Sequence, residues 1–566
     1  MIAISTFGRM ATLAGAVALP VGVAVLAPTE QVTAAAARPP AIAPAPPGFR
    51  RLNESQYIRS IEQTFGPAIK VPGRFDPPLR EQGLLAIGDA TVTVSASGIE
   101  QYELRAREIA AQAMAGGKVS VPCTPATTDP FDTSCARQVL GRYGRLLYRR
   151  PLADNELSAV VAIAANAAGV NHNFAKGLEA GLSRLLISPN FIFRVERSVA
   201  DPLAPGGYRL EDHAMASRIS FLLWDSPPDE PLLDAAARGD LRVPAKLQRQ
   251  VDRMLASPRF EQGVRSFFFD MLGYEQFRGL TKDQAIYPKF NSELVRDAQE
   301  QTMRTIVDLL VTNRGDYRDL FSTRKTFINR GLGALYKVPV SAAGVDGWAP
   351  YTFPADQPRG GILSLAGFLM LDPTHEGRSS PTIRGKTVRE LLLCQPVPQP
   401  PPNVNFALVQ DVGNPLYKTA RQRLTVHQEN PACAGCHALT DPIGLSLENY
   451  DAVGSFRTHE NDALIDATGT FEGKPYTGLT GLSQRLRESP DVPACLVQRA
   501  FEYGVGRSAG GGDAAWLDYA VGQFASDRFR FAALMRRLAT SPALAAAAPP
   551  GPVTTALSFD QNRRER

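Results

Sequence analysis

Cysteine and histidine are scarce in this chain, six of each among 566 residues. Any pattern that joins them therefore carries weight. Charge of one sign is missing too: 61 basic residues nearly balance 56 acidic ones, leaving a formal charge of +5. No basic stripe with interleaved aromatics appears, which excludes nucleic acid as an expected partner. Beyond the N-terminal stretch, no apolar run reaches the roughly eighteen residues needed to cross a bilayer. Strand signals are few and no fixed-period repeat is found. The length exceeds what one core holds, so roughly three to five domains are expected.

The first residues are built differently. Arg9 precedes an apolar run over 10–27, and small residues, VTAAAARPP, follow it. This is the pattern of a signal peptide, placed at 1–36. A retained anchor is the alternative, but Pro20 and the many small residues favour cleavage. The mature protein is then expected in a bacterial periplasm or secreted, with no transmembrane segment after cleavage. In such an oxidising compartment spare cysteines pair. Cys123 and Cys135 bracket a short polar loop that is cheap to close, so they are expected to pair. That leaves Cys394 and Cys495 as the second disulfide, with two buried free thiols as the alternative.

The remaining pattern is helical. Residues 37–49 are rich in proline and alanine and read as a linker. Helical spacing follows over 50–120, with Asn53, Glu54 and Ser55 at the first helix start, and continues over 131–197 and 206–340. NSELVRDAQEQTMRTIVDLLVTN is the longest clean helical pattern. Asp212 and His213 read as helix caps, and Glu448 and Asp451 as an ion-pair site with Arg457. Further units are placed at 357–460 and 462–544, and 545–566 reads as a disordered tail. The expected class is mainly α, a multidomain helical protein whose chemistry lies near the C-terminus, in the unit at 357–460.

The chemistry is concentrated in CAGCH, residues 433–437. Cys433 and Cys436 are spaced to form thioether bonds to the two vinyl groups of one haem c, and His437 follows as proximal iron ligand. Ala434 and Gly435 are small enough to let the backbone lie against the porphyrin edge. Three other readings compete. A redox dithiol would want a thioredoxin-like βαβ context, which is missing. Zinc could use Cys433, Cys436, His427 and His437, but no second cysteine pair has finger-like spacing. A plain disulfide is the third.

DPIG at 441–444 reads as a turn after the ligand helix, with a carbonyl near Pro442 accepting the His437 ring N–H. The candidates for a distal ligand are His375, His427, His459 and Met370. His375, in the polar loop LDPTHEGRSSPTIRG, is the one selected for the distal iron position.

These segments resemble the planctomycete-type cytochrome family, in which a cytochrome-c-like module is flanked by several planctomycete domains of unknown function. RRLNESQYIRSIEQTFG, CARQVLGRYGRLLYRRPL with LLISPNFIFRVE, and YRLEDHAMASRISFLLWDSPPDEPLLDAAARGDL with TFINRGLGALYKV are similar to its first three domains. RGGILSLAGFLM, RSSPTIRGKTVRELLLCQPVPQPPPNV and HQENPACAGCHALTDPIGLSLENYDAVGSFR are similar to the haem module. GLSQRL, CLVQRAFEYGVGR and FAALMRRLATSP are similar to the last domain. The resemblance implies haem binding by Cys433, Cys436 and His437, and it supports His375. Thr440 stands where many relatives carry methionine, and the loop 372–378 is not the commonest form.

The expected function is periplasmic electron transfer, or the haem subunit of an oxidoreductase, with a redox partner protein. A haem enzyme acting on peroxide or an extracellular organic substrate is the second hypothesis. A binding or assembly protein with a structural haem is the third.

Overall fold

Helices Glu54–Phe65, Ala96–Ala115, Thr133–Tyr148, Asp154–Asn171 and Phe174–Leu186 pack around one apolar cluster that includes Tyr57, Ile109, Leu140 and Leu182. This is a computed structural model, and it describes residues 39–44, 48–124, 131–202, 204–341, 344, 347–371, 378–399, 407–429 and 431–550. A second and larger cluster runs from Leu210 to Ala547 and also takes in Ile42, Leu84 and Ile87. The protein is mainly helical and multidomain.

Local chemistry explains the helix starts. Asn53 accepts a hydrogen bond from the Gln56 N–H, Asp132 from Cys135, and Asn291 from Leu294, each supplying an acceptor that the first helical turn lacks. The helix Ala96–Ala115 falls inside the unit expected to be helical over 50–120, although no apolar stripe marks it out as an element. Its buried face is made partly of small residues, Ala106, Ala110 and Ala113, which give little hydrophobic contrast. The long pattern after Asn291 is α-helical over Ser292–Val307 and then widens to a π turn over Asp308–Thr312.

Strands are short and antiparallel. Phe49–Arg51 pairs with Phe193–Val195, so the chain entry is sewn to the end of the second helical group. A three-stranded sheet sets Tyr208–Leu210 between Ser198–Ala200 and Ala546–Ala547. The last pairing corrects the expected start of the tail at 545. Ala547 is buried, and two residues beyond the last helix complete a sheet edge. The stretch read as a linker is also held. The Ala43 N–H donates to Asp513 and its carbonyl accepts from Arg507, which satisfies backbone groups a free linker would leave to water.

Both disulfides expected from the sequence are present, Cys123–Cys135 with Cα atoms 5.7 Å apart and Cys394–Cys495 at 5.2 Å. Among the described residues no helix is long and apolar enough to cross a membrane. The signal peptide at 1–36 and residues 551–566 of the tail lie outside the described residues.

Asp212 is not a cap. It lies in the first turn of the helix Asp212–Trp224 and accepts from Arg209 and Arg242, forming a charge cluster that fastens this helix start to residues 240–242. His213 caps nothing either; burial lowers its pKa.

Candidate functional site

The CAGCH residues lie on one helix, Pro431–Gly444. The helix Ala420–His427 leads into it, closed at its start by a capping box in which Thr419 and Gln422 satisfy each other's backbone N–H. Proline at the first position of the second helix needs no donor there, and the alanines that follow favour the helix. The expected turn at 441–444 is therefore absent. The helix carries Pro442 inside its last turn and stops at Gly444.

On this helix Cys433, Cys436 and His437 stand at relative positions 0, +3 and +4, which share one face. Cys433 is buried and Cys436 half-buried, and neither belongs to a disulfide. His437 is nearly enclosed. Its Nδ1 lies 2.8 Å from Asp441 Oδ2 and 3.4 Å from Thr382 Oγ1. The expected carbonyl acceptor at Pro442 is thus replaced by the Asp441 carboxylate. The Pro442 carbonyl instead accepts from the Tyr476 hydroxyl at 2.8 Å. The physical reason is the unbroken helix, which places residue 441 one turn beyond residue 437 on the same side.

Asp441 is itself fixed. It is 1% exposed. Its Oδ2 accepts from Gln428 Nε2 at 2.7 Å, and its Oδ1 from Thr382 Oγ1 at 2.8 Å and Thr440 Oγ1 at 3.3 Å. An acceptor-only carboxylate beside Nδ1 assigns the proton of a neutral ring to Nδ1 and leaves the lone pair on Nε2. His427 stands edge-on to His437 with ring centres 5.1 Å apart, and burial together with that neighbour lowers its pKa. A cavity of about 580 Å³ opens on the His437 side, walled by Arg421, Leu424, Gln428, Asp441 and Tyr476. The two thiols are not among its lining residues.

The donor set fits a covalently held haem. Two thiols stay outside the disulfides, an imidazole follows on the same helix face, and its second nitrogen is oriented by a buried carboxylate. It fits zinc less well: among the described residues no three His, Cys, Asp or Glu side chains are grouped to hold a metal ion. Of the distal candidates, His375 lies outside the described residues. Met370 is fully buried in the larger core, His459 is exposed beside Thr458, and His427 is the one placed against His437.

The helix Pro381–Leu392 holds the motif helix in place. A Cβ added at Gly385 would meet the Thr440 carbonyl oxygen at 1.9 Å, and one at Gly444 the Pro381 oxygen at 1.7 Å, so the two backbones touch. Next to Gly385, buried Arg384 donates to the carbonyls of Leu369, Leu447, Tyr450 and Asp451 and to Glu448. Glu448 also pairs with Arg457 at 2.8 Å, as expected, and burial raises its pKa against the pull of both arginines. Asp451 instead accepts from the Val453 and Ser455 N–H groups and makes no ion pair with Arg457. Arg384, Gln428, Thr382 and Asp441 were not singled out in the sequence. Only the Arg-Gly pair of PTIRG, a large cation next to a residue without a side chain, hinted at close packing.

Residues 135–196 match the protein of unknown function DUF1595, 210–338 match DUF1592, 359–460 match DUF1588 and 472–544 match DUF1585. These are planctomycete cytochrome-c-associated domains. The motif helix, its supporting helix and Arg384 all fall within the DUF1588 match. No match to a cytochrome c domain itself accompanies the four. No curated protein and no solved structure matches the chain.

Proposed function

We propose that this is an exported c-type haem protein. Cys433 and Cys436 hold the haem through thioether bonds and His437 binds its iron through Nε2. The observation that carries the proposal is the joint state of three side chains: two thiols kept out of disulfides, and an imidazole whose other nitrogen is turned onto the buried Asp441. A bound haem would supply a one-electron couple; Cys433, Cys436 and His437 would hold it, and Asp441 would orient the imidazole. We place the protein in periplasmic electron transfer, or as the haem subunit of an oxidoreductase with a redox partner. Two disulfides are compatible with that compartment.

The test is expression with a c-type haem maturation system, followed by mass measurement of the denatured chain and spectra in both oxidation states. A mass gain of one haem that survives denaturation, and is lost in Cys433→Ser/Cys436→Ser, is the expected result. A chain that leaves maturation without haem overturns the proposal. His375 is our proposed distal ligand, and His375→Ala then changes the spectrum of the reduced protein.

The carboxylate behind His437 favours a second reading, a haem enzyme acting on peroxide, because a charged partner makes the ligand more basic. Five-coordinate iron with peroxide turnover selects that reading. Six-coordinate iron with fast reversible cycling selects the electron carrier.

A further inference from the structure

A cavity of about 300 Å³ lies where four stretches of chain meet, and the haem proposal does not use it. Its walls come from residues 51–102, from Arg194, from residues 221–303 and from Tyr503. The volume equals that of about ten liquid waters. Phe75, Tyr102, Phe221 and Phe269 make much of the lining apolar and flat.

The charges around it are mostly spent on one another. Arg59 and Gln56 hold Asp225, Arg51 holds Asp76, and Arg278 holds Glu54. Asp270 accepts from the Leu85 and Ala86 N–H groups at 2.7 and 3.0 Å, and Arg80 holds Glu275. Two groups are left. Arg194 is 6% exposed, and its guanidinium lies over the Phe221 ring with 4.7 Å to the centroid. It donates no hydrogen bond to any described residue, and its Nε is buried without an acceptor. The neighbouring arginines differ: Arg50 and Arg218 share Glu196, and Arg149 donates to three carbonyls. Asp89 is 3% exposed and its carboxyl accepts no hydrogen bond from a described residue. Burial raises its pKa to about 7, against the pull of Arg194.

A buried guanidinium N–H without an acceptor, here Nε of Arg194, is costly, and native proteins give such groups a partner. We infer that this cavity binds a small aromatic monocarboxylate, its carboxylate on Arg194, its ring among the flat walls and a polar substituent facing Asp89. One cation without a hydrogen-bonded partner, beside the Asp89 carboxyl, suits a single negative charge. A phosphate-sized dianion would meet Asp89 and Asp225 across a small space with no second free cation to balance it. An apolar molecule without a charge would leave Arg194 as it is.

The test uses the full-length protein and calorimetric titration with benzoate, 4-hydroxybenzoate and neutral benzamide. One of the two carboxylates binds at one site per chain, and benzamide binds at least about tenfold more weakly, as loss of a charge-assisted hydrogen bond demands. Arg194→Met weakens carboxylate binding by about tenfold or more, while circular dichroism and the unliganded melting temperature stay near wild type. Ser266→Phe, which fills the cavity from the helix Arg259–Met271 and leaves Arg194 and Asp89 in the chain, also loses binding and decides the question if the arginine variant does not fold. The inference is overturned if neither carboxylate binds at millimolar concentration, if benzamide binds equally well, or if binding survives in Ser266→Phe. Water would then be the partner of Arg194.

Discussion

Asp441→Asn keeps the shape of a side chain and removes its charge. The Asp441 carboxylate is held by Gln428, Thr382 and Thr440 and faces His437 Nδ1. An amide there no longer makes the imidazole strongly electron-donating, so the oxidised iron loses support. In the haem-loaded protein of our proposal, the midpoint potential should rise by about 60 mV or more, one tenfold change for a one-electron couple. Spectroelectrochemical titration measures it, and an unchanged potential would show that Asp441 serves packing alone. At this scale the grouping of the two thiols and the histidine was legible, because it depends on a spacing of five residues. Asp441 was not. Its place depends on the helix running through Pro442, and proline two residues before Gly444 argued for a turn.

The contact between the helices Pro381–Leu392 and Pro431–Gly444 is a matter of backbone on backbone. Gly385→Ala drives a methyl group into the Thr440 carbonyl, an obstacle that cannot rotate away. Overpacking of this kind costs about 1–3 kcal/mol, to be read from the midpoint of chemical denaturation. Gly435→Ala is the contrast: nothing lies within 4 Å of the added Cβ. In the haem-free chain it should be neutral, or stabilising by up to about 1 kcal/mol through helix propensity. Helices with a strong apolar stripe could be read from the pattern. Ala96–Ala115 could not, since alanine on a buried face looks the same as alanine on an exposed one.

Across the whole molecule, Glu196 joins segments that lie far apart in the chain. It accepts from Arg50 and Arg218, while Arg50 also reaches the Gly504 carbonyl and Arg218 the Leu544 carbonyl. Glu196→Gln leaves two buried guanidinium groups short of a counter-charge. The expected loss is about 3–5 kcal/mol in a denaturation experiment. Burial alone would raise the Glu196 pKa, but Arg218 and Arg50 outweigh it and hold the carboxyl at about 2. A depressed folded-state value means that the contribution is complete above the ordinary value of 4.5 and is lost as pH falls toward 2. The wild type should therefore lose stability over that acid window, and the glutamine variant should lose less of it. None of this was legible in advance. Glu196 sits in a short polar stretch, and its partners are 146 and 22 positions away.

The pairing of Ala546–Ala547 with Tyr208–Arg209 sets a timetable for synthesis. A ribosome adding about 5–20 residues per second reaches residue 547 tens of seconds after residue 208. Through that interval the strand Tyr208–Leu210 keeps one edge without its partner, next to apolar helices whose own neighbours are still unmade. Closing so long a stretch of chain carries an entropy cost of about 5 kcal/mol, so the strand cannot pair early and wait. Until its end arrives, the chain carries an open strand edge of the kind that invites wrong pairing.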